Sequence, residues 1–288
     1  MTAWNHSGSR CARAVEGVVN YIGEMAQRPR YYANDHSRDL LHLDSRKISI
    51  EDARKRIEPP SLAREGFELV AHTSEIEDFK DAAEVARLHS AEIQRLLLEV
   101  TGADSVVIPG PGVLRFGEGS KDAGKYSNSL PARFIHVDVS DATAGQFARR
   151  SMPKNIGAAL QRFAHYNVWR ALSPPPQDIP LALCDARSVA LADLMCADAI
   201  FDVKDQPERS FEGWVVRHNT GHRWSYFSDM TRDEALIFKT NDSDPAQPHC
   251  VPHTAFDDPT CPKGVPARAS IEMRGIAYWF NAFGNSCT

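Results

Sequence analysis

Apolar and polar positions alternate along the chain in two textures. Through "SEIEDFKDAAEVARLHSAEIQRLLLEVTG", Ile76, Phe79, Ala83, Val85, Leu88, Ile93, Leu97 and Val100 recur at helical spacing. That period predicts a long amphipathic helix against a sheet, with Ser74 placed to cap it and Gly102 to stop it. A second, shorter helix is predicted at "KNIGAALQRF". From Ser105 onward the texture changes to short β-rich runs: "SVVIPGPGVLRF", "RFIHVDVS", "AHYNVWRAL", "IPLALCDARSV", "EGWVVRHN", "RWSYFSDM", "EALIFKTND" and "ARASIEMRGIAYWF". Gly, Pro, Asn and Asp punctuate them. Many short strands without regular intervening helices argue against a doubly wound sheet and for a barrel or sandwich with helices outside. The expected fold is mainly β with flanking helices, a double-stranded β-helix (jelly roll, cupin-like).

The first sixty residues are polar and mixed and end near the Pro59-Pro60 pair. Residues 1–64 are therefore read as a lead-in packed on a single domain whose core spans 65–280. A chain of 288 residues with 42% hydrophobic and 25% charged residues can bury a sizeable core. Its net charge of -5 implies no general attraction to nucleic acid or an anionic membrane. No run approaches the roughly 20 apolar residues of a membrane span. The start has no apolar run of signal-peptide type, and the six cysteines are scattered without Cys-x-x-Cys spacing. They read as reduced thiols, and the expected location is cytoplasmic. The sequence leaves the oligomeric state, including a homodimer, open.

Candidate chemistry centres on "RFIHVDVSD". Residues two apart in a strand share a face, so His136 and Asp138 project together while Val137 and Val139 face the other way. Such a pair suits two adjacent metal ligands. A lone His-x-Asp is a weak signal, because His42 and Asp44 in "LLHLDS" form another. Those two lie in the polar lead-in, with no strand series around them, and read as solvated.

A third ligand should come from a distant strand, and His165, His218, His222, His249 and His253 are the candidates. His253, in "VPHTAFDDP", follows a strand and loop. Fifteen residues later, Arg268 and Ser270 alternate on one face of "ARASIEMR", followed by Glu272 and Arg274. Two histidines and a carboxylate form a facial triad that holds iron(II) and leaves positions open. Arg268 with Ser270 then suits the far carboxylate of a 2-oxo acid.

These runs, with "HTAFDDP" and "WSYFSDMTRDEALIFKTNDS", occur in the order of the CmcJ/NvfI/AsaB-like family of iron(II)/2-oxoglutarate-dependent oxygenases, which the chain resembles over roughly residues 65–280. The resemblance implies that His136, Asp138 and His253 hold Fe(II). It likens Arg268 and Ser270 to the pair that grips 2-oxoglutarate, with Arg274 as the rival cation. It also implies dioxygen as oxidant and a small-molecule, secondary-metabolite substrate. Hydroxylation, desaturation, cyclisation and endoperoxidation are all compatible with it. In "AHYNVWRAL", Tyr166 or Asn167 would hydrogen-bond cosubstrate or substrate; a plain structural strand is the alternative.

Other features carry blander readings. Trp224 and Tyr226 are expected in the core, with pocket lining as the alternative. Glu234 and Lys239 are read as a structural ion pair. "FGEGSKDAGKYSNSL" is either a lid over the mouth or an ordinary surface loop. Two rival functions remain: a zinc site from His249, Cys250, His253 and Cys261, and a ligand-binding jelly roll without catalysis.

Overall fold

The computed structural model describes residues 13–154 and 159–281. Among them, fifteen strands form two sheets. They are β1 (Ala14–Ile22), β2 (Arg30–Tyr32), β3 (Leu43–Asp52), β4 (Phe67–Ala71), β5 (Ser105–Val107), β6 (Val113–Phe116), β7 (His136–Val137) and β8 (Leu160–Ala171). Then come β9 (Leu181–Cys184), β10 (Leu194–Phe201), β11 (Arg209–Val216), β12 (Trp224–Tyr226), β13 (Glu234–Asp242), β14 (His253–Ala255) and β15 (Ala269–Phe280). The larger sheet runs β1-β3-β12-β9-β14-β7-β11-β10-β2 and the smaller β4-β13-β8-β15-β5, with β6 also on β15. The chain is a double-stranded β-helix, as the rhythm of short strands implies.

Alternation along the strands sorts the side chains. In β8 and β13, Trp169, Leu236 and Phe238 meet Leu181 and Leu183 of β9 in a cluster between the sheets. The intervening Tyr166, Val168 and Ile237 face the other way, into a cluster with Ile76, Ile93 and Leu97 beneath the helices. Ala182 and Cys184 of β9 turn to the far side of the larger sheet, against Val19, Ile50 and Trp224. This period of two places Asn167 of β8 and Ser270, Glu272 and Arg274 of β15 toward the space between the sheets.

The opening segment supplies three strands. β1 pairs antiparallel with β3, which pairs in parallel with β12, while β2 joins β10 at the opposite edge. His42 and Asp44 therefore flank the start of a strand, not a strandless stretch. The β1 signal, Val15, Val19 and Tyr21 facing inward, is diluted by the polar residues between them.

The long helix starts later than its apolar period suggests. Asp81 caps α1 (Ala82–Glu84) by accepting from the Ala83 and Glu84 amides. A π-turn segment, Val85–His89, leads into α2 (Ser90–Thr101), which Gly102 ends at φ 63°. Ser74 instead donates to Glu92 Oε2 at 2.6 Å. The short side chains of Asp78 and Asp81 capture nearby amides and hold the preceding stretch in turns.

A helix not legible in the periodicity, α3 (Asp141–Ser151), follows the β7 region and is capped by Ser140. Of the helix expected at "KNIGAALQRF", residues 155–158 lie outside the described set. The rest is the beginning of β8, where pairing with β15 outweighs local helix propensity. The ion pair expected between Glu234 and Lys239 also does not form. Glu234 takes both guanidinium arms of Arg54, and Lys239 donates to Asp242 at 2.8 Å. Successive strand residues point to opposite faces, and five residues apart on β13 puts these two back to back.

Candidate metal centre and active site

β7 lies hydrogen-bonded between β14 and β11, which fixes His136 opposite His253 in the antiparallel register. The two imidazole centroids are 4.3 Å apart. Asp138, two residues beyond His136, brings Oδ2 to 3.6 Å from His253 Nε2. One donor atom from each of the three lies within 4.8 Å of the others, and all three residues are buried.

Each imidazole is held by its other nitrogen. His136 Nδ1 lies 3.1 Å from the Phe134 carbonyl, and His253 Nδ1 3.1 Å from the Val251 carbonyl. A carbonyl only accepts, so both Nδ1 atoms carry the proton and both Nε2 atoms present a lone pair. His253 Nε2 is buried without a hydrogen-bond partner. Burial, reinforced by the neighbouring imidazole, pushes the His136 pKa down to about 4. Burial likewise lowers that of His253. Both rings are therefore neutral at ordinary pH. Burial alone would raise the Asp138 pKa, but the Arg274 guanidinium and the imidazoles outweigh it and hold the carboxyl well below the usual range. Arg274 Nη2 donates to Asp138 Oδ1 at 2.6 Å, and Asn167 Nδ2 donates to Oδ2 at 2.6 Å. Two neutral imidazoles, an ionised carboxylate and an orphaned nitrogen aimed into their midst fit a divalent metal of the iron class.

Arg268 lies further along the same interior. It is 1% exposed and forms no ion pair among the described residues. Its Nε and Nη2 donate to Ser270 Oγ at 3.3 and 3.2 Å, and Nη1 to the Ile179 carbonyl. Burial pushes its pKa down to about 9, so it stays charged at neutral pH. A small cavity joins it to His136 and His253, walled by Trp169, Leu181 and Glu272. Arg274 is engaged differently, held by Asp138 and Glu272. Tyr166, on the other face of β8, packs beneath the helices and lines the large cavity, whereas its neighbour Asn167 touches Asp138.

The remaining candidates are dispersed. His165 Nε2 donates to the Ala144 carbonyl, His249 meets Asp141, and His218 and His222 surround Tyr21. His42 contacts the Glu24 carbonyl, and Asp44 pairs with Arg46. Cys250 is buried beside Val137 and Trp214, so the proposed zinc set does not assemble. Among the described residues, His136, Asp138 and His253 are the one group with metal-ligand spacing. Trp224 sits in the core with its indole donating to Tyr21, and Tyr226 packs against Phe256.

A cavity of about 770 Å³ opens beside the triad. Phe79, Val139, Phe147, Phe201 and Phe211 make most of its wall apolar, and Asp138, Asn167 and Arg274 form a polar floor. Tyr126, Ser127 and Asn128 of the Gly- and Ser-rich loop also line it. Arg115, on β6, borders the mouth above His136, and the strand alternation in "VLRF" is the only sequence signal for it.

A jelly roll whose interior brings two histidines and an aspartate together beside a buried arginine has the architecture of a non-haem metal-dependent oxygenase. Comparison with known proteins agrees. The family described as "YDMC: Oxidoreductase/YMDC permease-like domain" matches residues 19–278, and the chain belongs to it. No helix among the described residues is long and apolar enough to cross a membrane. The chain is 30% identical over 258 residues to the "Hydroxylase/desaturase efuI" of Hormonema carpetanum, covering 83% of this chain and 85% of that one. It is 30% identical over 238 residues to the "Fe(II)/2-oxoglutarate-dependent dioxygenase nvfI" of Aspergillus novofumigatus, covering 81% and 83%. The solved structure of the "iron and alpha-ketoglutarate-dependent endoperoxidase NvfI" shares the fold, with a TM-score of 0.76 at 24% identity over 93% of this chain and 99% of that one. The chain is thus an oxidoreductase of the iron(II)/2-oxoglutarate-dependent oxygenase kind.

Proposed function

We propose that His136, Asp138 and His253 are the iron ligands, that Arg268 with Ser270 anchors 2-oxoglutarate, and that the enzyme oxidises a C–H bond of a small, largely apolar secondary metabolite. The observation that carries the reading is the convergence of three buried donors on one point, with His253 Nε2 otherwise unpartnered. When bound, iron(II) with 2-oxoglutarate and dioxygen supplies hydrogen-atom abstraction from an unactivated carbon.

The protein's own groups prepare that chemistry. The Phe134 and Val251 carbonyls fix both imidazoles in one tautomer, so neither must reorient to accept a metal. Arg274 and Asn167 hold Asp138 ionised and aimed. Arg268 is a buried charge that forms no ion pair among the described residues, with Glu272 and Asp178 compensating it only at a distance; the far carboxylate of a 2-oxo diacid would pair it directly. The Trp169 ring, 5.2 Å from the Arg268 guanidinium carbon, holds that cation in place. Because Arg274 is occupied by Asp138 and Glu272, the anchoring role falls to Arg268. The aromatic walls of the large cavity exclude water from the reacting carbon and favour an apolar substrate. Whether the outcome is hydroxylation, desaturation, cyclisation or endoperoxidation depends on which carbon is held there. A cytoplasmic setting agrees with Cys184 and Cys250 as buried free thiols.

Anaerobic titration with iron(II) and 2-oxoglutarate tests the reading. A weak visible charge-transfer band should appear in the wild type and vanish in His136→Ala and His253→Ala. A wild type without the band would overturn it.

A further inference from the structure

The charges facing the metal centre do not balance. Arg115, Arg268 and Arg274 border the site, against Asp138 and Glu272, and both histidines give Nδ1–H to a backbone carbonyl and leave Nε2 as a lone pair. His36, at the outer mouth, already faces Asp39. Around the triad itself, three guanidinium groups face two carboxylates, which leaves one positive charge; Lys80, paired with Asp122, and the exposed Arg150 line the large cavity beyond. A ferrous ion and a doubly ionised 2-oxoglutarate cancel each other, so the excess survives loading of the site.

The excess can be localised. Arg274 is paired with both carboxylates, and Arg268 is the anchor for the cosubstrate's far end. Arg115 is left. Its Nη1 donates to the Asn128 carbonyl, the Asn128 side-chain oxygen and the Leu130 carbonyl, at 3.1, 3.0 and 2.7 Å. Those bonds tie it to the loop but bring no negative charge. It forms no ion pair among the described residues, and burial lowers its pKa, with Glu272 the largest compensating charge. It borders the mouth beside His136 and Asp138, and it also lines the small cavity with Arg268, His136 and His253. That mouth shares Asn128, Asp138, Phe201, Phe211 and Arg274 with the large apolar cavity, so the two spaces adjoin.

We propose that Arg115 is the receptor for an ionised acidic group on the substrate, which makes the substrate a carboxylate carried on an apolar body. The body would lie among the phenylalanines of the cavity, and the carboxylate would take the guanidinium donors that the loop leaves unused. Orientation follows: the salt bridge fixes one end of the molecule and so determines which carbon faces the metal. This inference rests on the iron(II)/2-oxoglutarate reading above.

The test uses the full chain with iron(II) and 2-oxoglutarate under anaerobic conditions, with decanoate and methyl decanoate as probes and calorimetry as the readout. Decanoate should bind the wild type at least about tenfold more tightly than its ester, because only the acid can form the salt bridge. Arg115→Gln should abolish that preference while leaving the 2-oxoglutarate titration of the visible band within about twofold of wild type. Arg115→Lys, which keeps the charge if the glutamine variant fails to fold, should still prefer the acid. Three results would each overturn the inference: no decanoate binding, equal binding of acid and ester, or a preference that survives in Arg115→Gln. A loss confined to 2-oxoglutarate affinity would also overturn it, by assigning Arg115 to the cosubstrate's other carboxylate. Failure of the band itself in the wild type would sink the oxygenase reading, and this inference with it.

Discussion

His136 and His253 are register partners: 117 residues apart in sequence, they sit directly opposite each other across the β7–β14 pair, with ring centroids 4.3 Å apart. The backbone ladder, not a flexible loop, sets the distance between the two imidazoles. Each is oriented by a carbonyl two residues earlier in its own chain segment. His136→Ala and His253→Ala should each lose iron and succinate formation by more than the roughly 10–100-fold typical of an outer partner. His42→Ala, whose ring contacts the Glu24 carbonyl and borders Gly23, should retain both. Iron stoichiometry after desalting is the measurement. Retention by His136→Ala with loss in His42→Ala would reverse the choice of triplet.

Arg268 and Arg274 lie on the same face of one segment yet should behave differently when substituted. Arg268→Gln removes a buried cation that forms no ion pair among the described residues, so its cost should appear as a raised 2-oxoglutarate requirement, by about 30-fold or more. Arg274→Gln frees Asp138 and Glu272 from their counter-ion and should act chiefly on metal retention. Titration of the visible band against 2-oxoglutarate at saturating iron separates the two. An unchanged requirement in Arg268→Gln would pass the anchoring role to Arg274.

Much of this site was legible in the sequence because strand geometry is local. The spacing of His136 and Asp138, or of Arg268, Ser270, Glu272 and Arg274, tells which side chains share a face without any knowledge of the fold. Pairing between distant strands is not local. That His253 rather than His249 or His165 completes the group is decided by the β14–β7 register, which no single run encodes. The first three strands were missed for a related reason. β3 carries exposed residues over much of its length and is held by pairing with β1 and β12, so its apolar alternation is confined to Ile48 and Ile50. The choice of Asn167 over Tyr166 for contact with Asp138 is likewise decided by which face of β8 meets the interior.

Asn167 therefore offers a sharp contrast with its neighbour. Asn167→Ala leaves Asp138 Oδ2 without its 2.6 Å donor and should weaken iron binding by roughly 10–100-fold. Tyr166→Phe, on the opposite face, should leave iron binding unchanged. Competition with a colorimetric iron chelator reads both. Equal losses in the two variants would mean that strand integrity, not the amide, is what matters.

His165 gives the fold a pH dependence that does not involve the metal. Burial pushes its pKa down to about 4, below the ordinary 6.5, and its Nε2 donates to Ala144 in α3. The unfolded chain therefore takes up the proton first. The stabilisation is complete above pH 6.5 and is lost as pH falls toward 4, up to about 3 kcal/mol. His136 contributes in the same direction. His165→Gln retains a donor but does not titrate, so urea melts from pH 7 to 4 should show a slope shallower by roughly one proton. An unaltered slope would remove His165 from the account.

Gly213 bears on the seating of Asp138 without touching its carboxylate. It lies on β11, beside β7, and a Cβ added there would come within 2.9 Å of the Val137 and Asp138 carbonyl oxygens. Both contacts are with backbone, which cannot swing aside as a side-chain tip can. Gly213→Ala must push β7 away from β11 and carry the Asp138 main chain with it. A ligand set held by strand register tolerates such a displacement poorly, since a shift on the order of 1 Å is enough to cost about 100-fold in a positioned site. Iron affinity should therefore fall while far-ultraviolet circular dichroism keeps its β signature. Gly119→Ala, where the added carbon meets only Ala267 Cβ at 3.7 Å, is the control and should bind iron as the wild type does. Equal iron affinity in the two variants would show that the ligands do not depend on the seating of β7 against β11.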